Sequence, residues 1–229
     1  MLTILAIETS TELASAALLH GDQIIVRESS GVQTHSQTIL PMVQSLLAQA
    51  GIAVAQCGAI AFGAGPGSFT GVRTACGIAQ GLAFGAGLPV VPIVTLQAMA
   101  QACREITGSS DVLALLDARM GEVYWAHYRY ADGWHSVIEP MLSAPSAVLP
   151  LGDVMACGNG LAAYPSAFEN RTFAKNAQQT VMPHAAQIAR LARTAFARGL
   201  AVAPSEAQPL YLRNKVALTA MERLAKAVA

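Results

Sequence analysis

Residues 63–71 read GAGPGSFTG, four glycines and a proline set between an apolar strand and an apolar helix. Glycines such as Gly65 and Gly67 let backbone come close to a ligand, and the first free N–H groups of the following helix can hold a phosphate or a carboxylate. Ser68 or Thr70 is placed to cap that helix. The same residues serve equally well for a tight turn with close helix packing through Gly71 and Gly77, and the motif leaves both readings open. Two carboxylates, Glu8 and Asp117, each end an apolar run, where a duplicated nucleotide-binding fold would put its phosphate loops. Both are expected to face one cleft, with Thr9, Ser10, Gly158 and Gly160 as further phosphate contacts. Asp117 is the better candidate for a catalytic or metal-linked role, yet the Ala118-Arg119-Met120-Gly121 loop after it is poor in glycine. Isolated matches of this kind are mostly structural, so no catalytic residue is assigned.

Other chemistries fail on spacing. No lysine follows the glycines, which excludes a P-loop. Pro66 stands where a GxSxG elbow needs its first glycine, so Ser68 is not a hydrolase nucleophile. His20, His35, His127, His135 and His184 are scattered without HxxxH or HExxH pairing, and each reads as a surface or hydrogen-bonded histidine, not a metal ligand. Cys57, Cys76, Cys103 and Cys157 lack CxxC spacing and read as small buried hydrophobes in a reducing compartment.

Placing these groups around one cleft requires parallel strands joined through helices. Residues 2–9 read as a buried strand, 15–19 and 23–28 as a hairpin about Gly21-Asp22, 36–50 as a helix and 58–62 as another buried strand. A helix at 69–84, a strand at 89–94 and a helix at 95–104 follow. The order begins again with strands at 112–117, 122–130 and 134–139, a short helix and a strand at 154–157. LAIETSTE from Leu5 and LALLDARMGE from Leu113 open the two halves, an internal duplication that implies an α/β fold. A helix at 184–198, a loop holding Pro204 and Pro209, and a last helix from about residue 215 complete the chain.

At 229 residues, and roughly 150 per domain, one large or two small domains fit. Hydrophobic residues make up 53% and charged residues 12%, which excludes disorder, and 14 basic residues balance 14 acidic ones, which argues against polyanion binding by bulk charge. No signal peptide is read at the amino terminus, so a cytoplasmic location is expected. The uncharged stretch 74–103 is long enough to span a bilayer, but Gln80, Pro89, Pro92 and Gln97 interrupt it, and no membrane association is expected. From Arg190 onward, Arg193, Arg198, Arg213, Lys215, Arg223 and Lys226 outweigh Glu206 and Glu222; a solvated helix face or an RNA contact would each explain this. Between Glu28 and Arg104 the only formal charge is Arg73, although two whole helices lie there. In the first, Ile39, Leu40, Val43, Leu46 and Leu47 form one stripe while the other face offers glutamine, serine and alanine. Exposed helices usually carry lysine and glutamate, so this pair reads either as a protein interface or as two helices covered within the monomer.

The segments ILAIETST from Ile4, HSQTILPMV from His35, GPGSFTGVRTACGIAQGLA from Gly65 and LLDARMGEVYWA from Leu115 resemble the TsaB family, also called YeaZ. The resemblance spans most of the first half, enters the second and thins after about Asn159. It implies an α/β, actin-like ATPase (ASKHA, ribonuclease H-like) fold with two duplicated βββαβα-type halves. Residues 1–105 would form the first subdomain, 106–205 the second, and 206–229 a carboxy-terminal helix packing back on the first. It further implies a non-catalytic, non-protease subunit of the complex that forms N6-threonylcarbamoyladenosine in tRNAs reading codons that begin with A. Its partners would be a catalytic TsaD-type subunit and a TsaE-type ATPase, with tRNA met only through the complex and a homodimer formed when the chain is alone. The family's pairing surface falls on the two uncharged helices, here Ile39, Leu40, Val43, Leu46 and Leu47 with Phe69, Val72, Arg73, Cys76 and Gln80. Where the larger relative carries its metal-binding histidine pair, this chain offers Thr95 and Met99, which cannot replace them. No cofactor is firmly implied, though ATP or ADP at a subunit interface is one expectation; the competing reading is a stand-alone ATPase or kinase of the actin-like superfamily.

Overall fold

The structure, a computed structural model, describes residues 2–30 and 35–213. The helix expected from about residue 215, and with it most of the 206–229 segment, lies outside the described residues. β1 (Thr3–Glu8) is buried along its whole length, because TILAIE is apolar on both faces of its pleat. Leu5 and Ile7 face α1 (His35–Ala50) and α2 (Phe69–Ala86), while Ile4 and Ala6 face α6 (Ala185–Ala197). β2 (Leu13–His20) and β3 (Gln23–Ser30) extend the sheet antiparallel on one side, and β4 (Ala59–Gly65) and β5 (Val90–Val94) extend it parallel on the other. The resulting strand order is β3-β2-β1-β4-β5.

The second sheet has the order β8-β7-β6-β9, from β6 (Asp111–Asp117), β7 (Val123–Tyr130), β8 (Trp134–Ser143) and β9 (Met155–Cys157). β6 pairs antiparallel with β7 and parallel with β9, as β1 does with β2 and β4. This is the duplication read from the sequence, but the second copy is reduced. The short helix expected before β9 is a single 3-10 turn, Pro145–Ala147, since Pro150 removes a donor that a longer helix needs. Two four-residue helices absent from the sequence reading, α4 (Gly160–Ala163) and α5 (Pro165–Phe168), follow β9 and seat Leu161 and Phe168 under it. Both are too short to show a helical period.

α3 (Thr95–Thr107) lies between the halves. Its Ala98 packs on the first sheet, while Leu96, Met99 and Cys103 pack on the second. α6 begins where His184 Nδ1 accepts the Ala186 N–H at 3.1 Å, and its Ile188, Ala189 and Ala192 cover the first sheet. Residues within the span 106–205 thus serve both sheets. The uncharged stretch 74–103 is divided among α2, β5 and α3, and among the described residues no helix is long and apolar enough to cross a membrane. All four cysteines are free and buried, as expected.

Candidate functional site

Both carboxylates predicted to flank one cleft sit at strand ends, but only Asp117 reaches it. A cleft of about 420 Å³ lies between the halves, with Ser10, Glu12, Ser68, Asp117, Arg119 and Arg213 on its walls. Glu8 is fully buried, on the face of β1 shared with Ile4 and Ala6, and its Oε2 has no hydrogen-bond partner among the described residues. A Cβ on Gly63 would overlap this carboxyl, so the first glycine of GAGPGSFTG makes room for Glu8. Burial lifts the Glu8 pKa above its ordinary value of 4.5, opposed by hydrogen bonding from Ser10 and Thr9; the Ser10 N–H donates to Oε1 at 2.5 Å.

A carboxyl with a raised folded pKa binds its proton more tightly in the native state. The stability this gives is complete below 4.5 and is lost as pH rises through the raised value. Glu8→Gln keeps the shape and removes the titration. Between about pH 4 and about pH 8 the melting temperature of Glu8→Gln should therefore rise relative to the natural chain by a few degrees. Thermal melts at both pH values check this, and a constant difference would show that folding does not raise the Glu8 pKa.

The other glycines of the turn are also used for packing. A Cβ on Gly71 would overlap the Thr9 carbonyl oxygen, and one on Gly67 would lie 2.6 Å from Ser10 Cβ. Thr9 Oγ1 donates to the Gly71 carbonyl at 2.7 Å, and the Ser68 N–H donates to the Ser10 carbonyl at 2.7 Å. Ser68 Oγ caps α2 by accepting the Gly71 N–H at 3.4 Å, as foreseen. Gly158 and Gly160 lie against the Leu115 backbone. Of the expected phosphate contacts, Ser10, Gly67, Ser68 and Asp117 line the cleft, whereas Thr9, Gly65, Gly158 and Gly160 do not.

Asp117 is occupied within the chain. Its Oδ1 accepts the Tyr164 hydroxyl at 2.9 Å and the Arg119 N–H at 2.8 Å, and Arg119 Nε lies 3.4 Å from Oδ2. Arg119 also bridges the halves to Glu12 at 2.5 Å. Arg213 pairs with Glu122 at 2.5 Å. The two arginines on the cleft walls are balanced by Glu12, Asp117 and Glu122, so these residues by themselves offer a polyphosphate no net positive charge and do not fit it. Among the described residues no group of three or more His, Cys, Asp or Glu side chains could hold a metal ion.

The described histidines are hydrogen-bonded except His127, which is fully buried with neither ring nitrogen hydrogen-bonded and Asp111 Oδ1 3.4 Å away. Burial lowers its pKa, opposed by Asp111. Arg190 and Arg193, part of the basic excess, pair with Glu105 and Asp22. Lys215, Arg223 and Lys226 lie outside the described residues.

The expected pairing residues divide. Ile39, Val43, Leu46 and Cys76 are buried in the first half's own core, so the apolar stripe of each helix is consumed by the sheet beneath it, while Val72, equally buried, lines the cleft. Leu47 is half-buried against the same core, and Gln80 donates to the Ala207 carbonyl at 3.0 Å. Leu40, Phe69 and Arg73 remain exposed, with the Arg73 guanidinium stacked over the Phe69 ring. The structure adds residues that the sequence reading did not place on this surface. Gly77, Gly81 and Gly85 are exposed along α2, with no atom of the described residues beyond the helix's own backbone within 4 Å of a Cβ on any of them, and Phe84 beside them is 83% exposed. Their spacing of four was the signal available in the sequence. The expected packing role of Gly77 is therefore corrected: Gly71 has that role and Gly77 does not.

A family model described as "TsaD: tRNA N6-adenosine threonylcarbamoyltransferase" matches residues 22–226. The chain is 40% identical to the tRNA threonylcarbamoyladenosine biosynthesis protein TsaB of Escherichia coli over 93% of this chain and 96% of that one. It is also 40% identical to the protein of the same name from Haemophilus influenzae, over 94% and 95% of the two chains. The solved structure of YeaZ from Pseudomonas aeruginosa superposes with a TM-score of 0.85 at 38% identity, covering 93% of this chain and all of that one.

Proposed function

The chain belongs to the TsaB (YeaZ) family, and from that membership we propose that it takes part in forming threonylcarbamoyladenosine in tRNA as the non-catalytic subunit that pairs with a TsaD-type catalytic subunit. The observation that carries the pairing role is the outer face of α2. Each glycine inside a helix costs about 1 kcal/mol relative to alanine. Gly77, Gly81 and Gly85 repeat that cost on one face, where nothing among the described residues is close enough to require them. Small residues in such a row let a second helix approach closely, and α1 and α2 carry no formal charge besides Arg73 to oppose burial. Leu40 and Phe84 supply exposed apolar anchors on the same two helices. The same surface would pair two copies of this chain when the catalytic subunit is absent. In this reading the occupied Asp117 is a structural carboxylate, tRNA and the TsaE-type ATPase are met through the complex, and any adenine nucleotide is bound with groups from a partner. Binding of the purified chain to a TsaD-type subunit, followed by titration calorimetry, tests the proposal; no heat and no co-elution would remove it.

A further inference from the structure

Residues 207–213 cross the cleft with no helix or strand of their own, fixed at both ends to different halves. At the first end the Ala207 carbonyl accepts from Gln80 Nε2 at 3.0 Å and from Cys76 Sγ at 3.5 Å, both on α2. In the middle the Leu210 N–H donates to the Ala64 carbonyl at 2.7 Å, and the Tyr211 ring lies 6.2 Å from the Phe69 ring with Arg73 over both. At the far end Arg213 pairs with Glu122 at 2.5 Å and donates to the Arg119 carbonyl at 3.4 Å, both in the β6–β7 region of the second half. Apart from this segment, the ion pair described across the cleft mouth is Arg119–Glu12, whose side chains are 73% and 68% exposed and which is accordingly weak.

We infer that residues 207–213 are a strap that latches the two halves across the cleft, with the Arg213–Glu122 pair as its release point. A segment held by an anchor on each half has to give up one of them when the halves part. The anchor on α2 is the more buried, since Cys76 is 4% exposed, whereas the Arg213 and Glu122 side chains are 16% and 37% exposed. Opening the cleft therefore begins at Arg213 and runs back towards Ala207. The inference is independent of the pairing reading, because it concerns contacts within one chain.

Cys76 is a native reporter, covered by the strap's first residue. In Arg213→Ala, and in Glu122→Gln, which deletes the partner charge alone, a thiol reagent should label Cys76 at least about tenfold faster than in the natural chain, as local opening predicts. Labelling of Cys57 and Cys103, neither of which has a described hydrogen bond to the strap, should stay unchanged. Peptide mass mapping after a short pulse reads all three rates. An unaltered rate at Cys76 in both variants, or a rise at Cys76 matched by Cys57 and Cys103, would overturn the strap. The first result would mean the segment does not move as a unit, and the second would mean that the variants loosen the whole fold.

Discussion

Gly77→Glu and Gly81→Glu are expected to fold at least as stably as the natural chain and yet to bind a TsaD-type subunit at least about a hundredfold more weakly. Both positions are exposed, and a Cβ there meets nothing within 4 Å among the described residues, so the described fold does not resist it. Replacing a helical glycine by a good helix former should stabilise the isolated chain by about half to one kcal/mol. In the proposed complex the same side chain would do two things. It holds the facing helix away, and it takes an unpaired carboxylate out of water, a combination worth about 3 kcal/mol or more. The opposite signs separate an interface effect from misfolding. Titration calorimetry gives the affinity and a thermal melt gives the stability; undiminished binding by both variants would remove α2 from the interface.

Gly71→Ala should act in the other direction, although it lies only a turn and a half along the same helix. Its Cβ would overlap the Thr9 carbonyl oxygen and come within 3.0 Å of the Thr9 carbonyl carbon and 3.3 Å of Ser10 Cα. These are backbone atoms, fixed by the Thr9 hydroxyl on the Gly71 carbonyl and by the Ser68 N–H on the Ser10 carbonyl. Neither side can give way as a flexible side chain would. Overpacking of this kind costs about 3 kcal/mol, against a helix-propensity gain of about 1. At roughly 2–4 °C per kcal/mol for a chain of this size, the melting temperature should fall by about 4–8 °C. Gly77→Ala, with open space around it, should rise by a few degrees. A Gly71→Ala protein melting at or above the natural chain would mean that α2 does not dock on the Thr9–Ser10 turn as described.

How far the molecule could be read beforehand depended on the range of each contact. β1 was visible because apolar residues fill both faces of its pleat, a local property, and the matching run at β6 exposed the duplication. The glycine turn was ambiguous for a physical reason: Gly63, Gly67 and Gly71 are required by Glu8, Ser10 and Thr9, more than fifty positions away in sequence but adjacent across the sheet. No local pattern distinguishes a glycine that admits a phosphate from one that admits a carbonyl. The uncharged helix pair was legible, but which of its side chains face outward was not. Ile39, Val43 and Leu46 show the helical period because they face the sheet, so the residues most easily seen were those least available to a partner. The exposed face announced itself through small residues instead. The Arg119–Glu12 pair, 107 positions apart, and the strap over the cleft left no trace in the sequence.

The most direct measurement of the central claim is threonylcarbamoyl transfer to tRNA in a mixture of the TsaD-type subunit, the TsaE-type ATPase and the enzyme that makes the threonylcarbamoyl-adenylate, with and without this chain. The account predicts product only when the chain is present, no product and no ATP turnover from the chain alone, and no change when Asp117→Asn replaces it at equal occupancy of the complex. Full product without the chain, or turnover by the chain unaided and lost with Asp117→Asn, would contradict it.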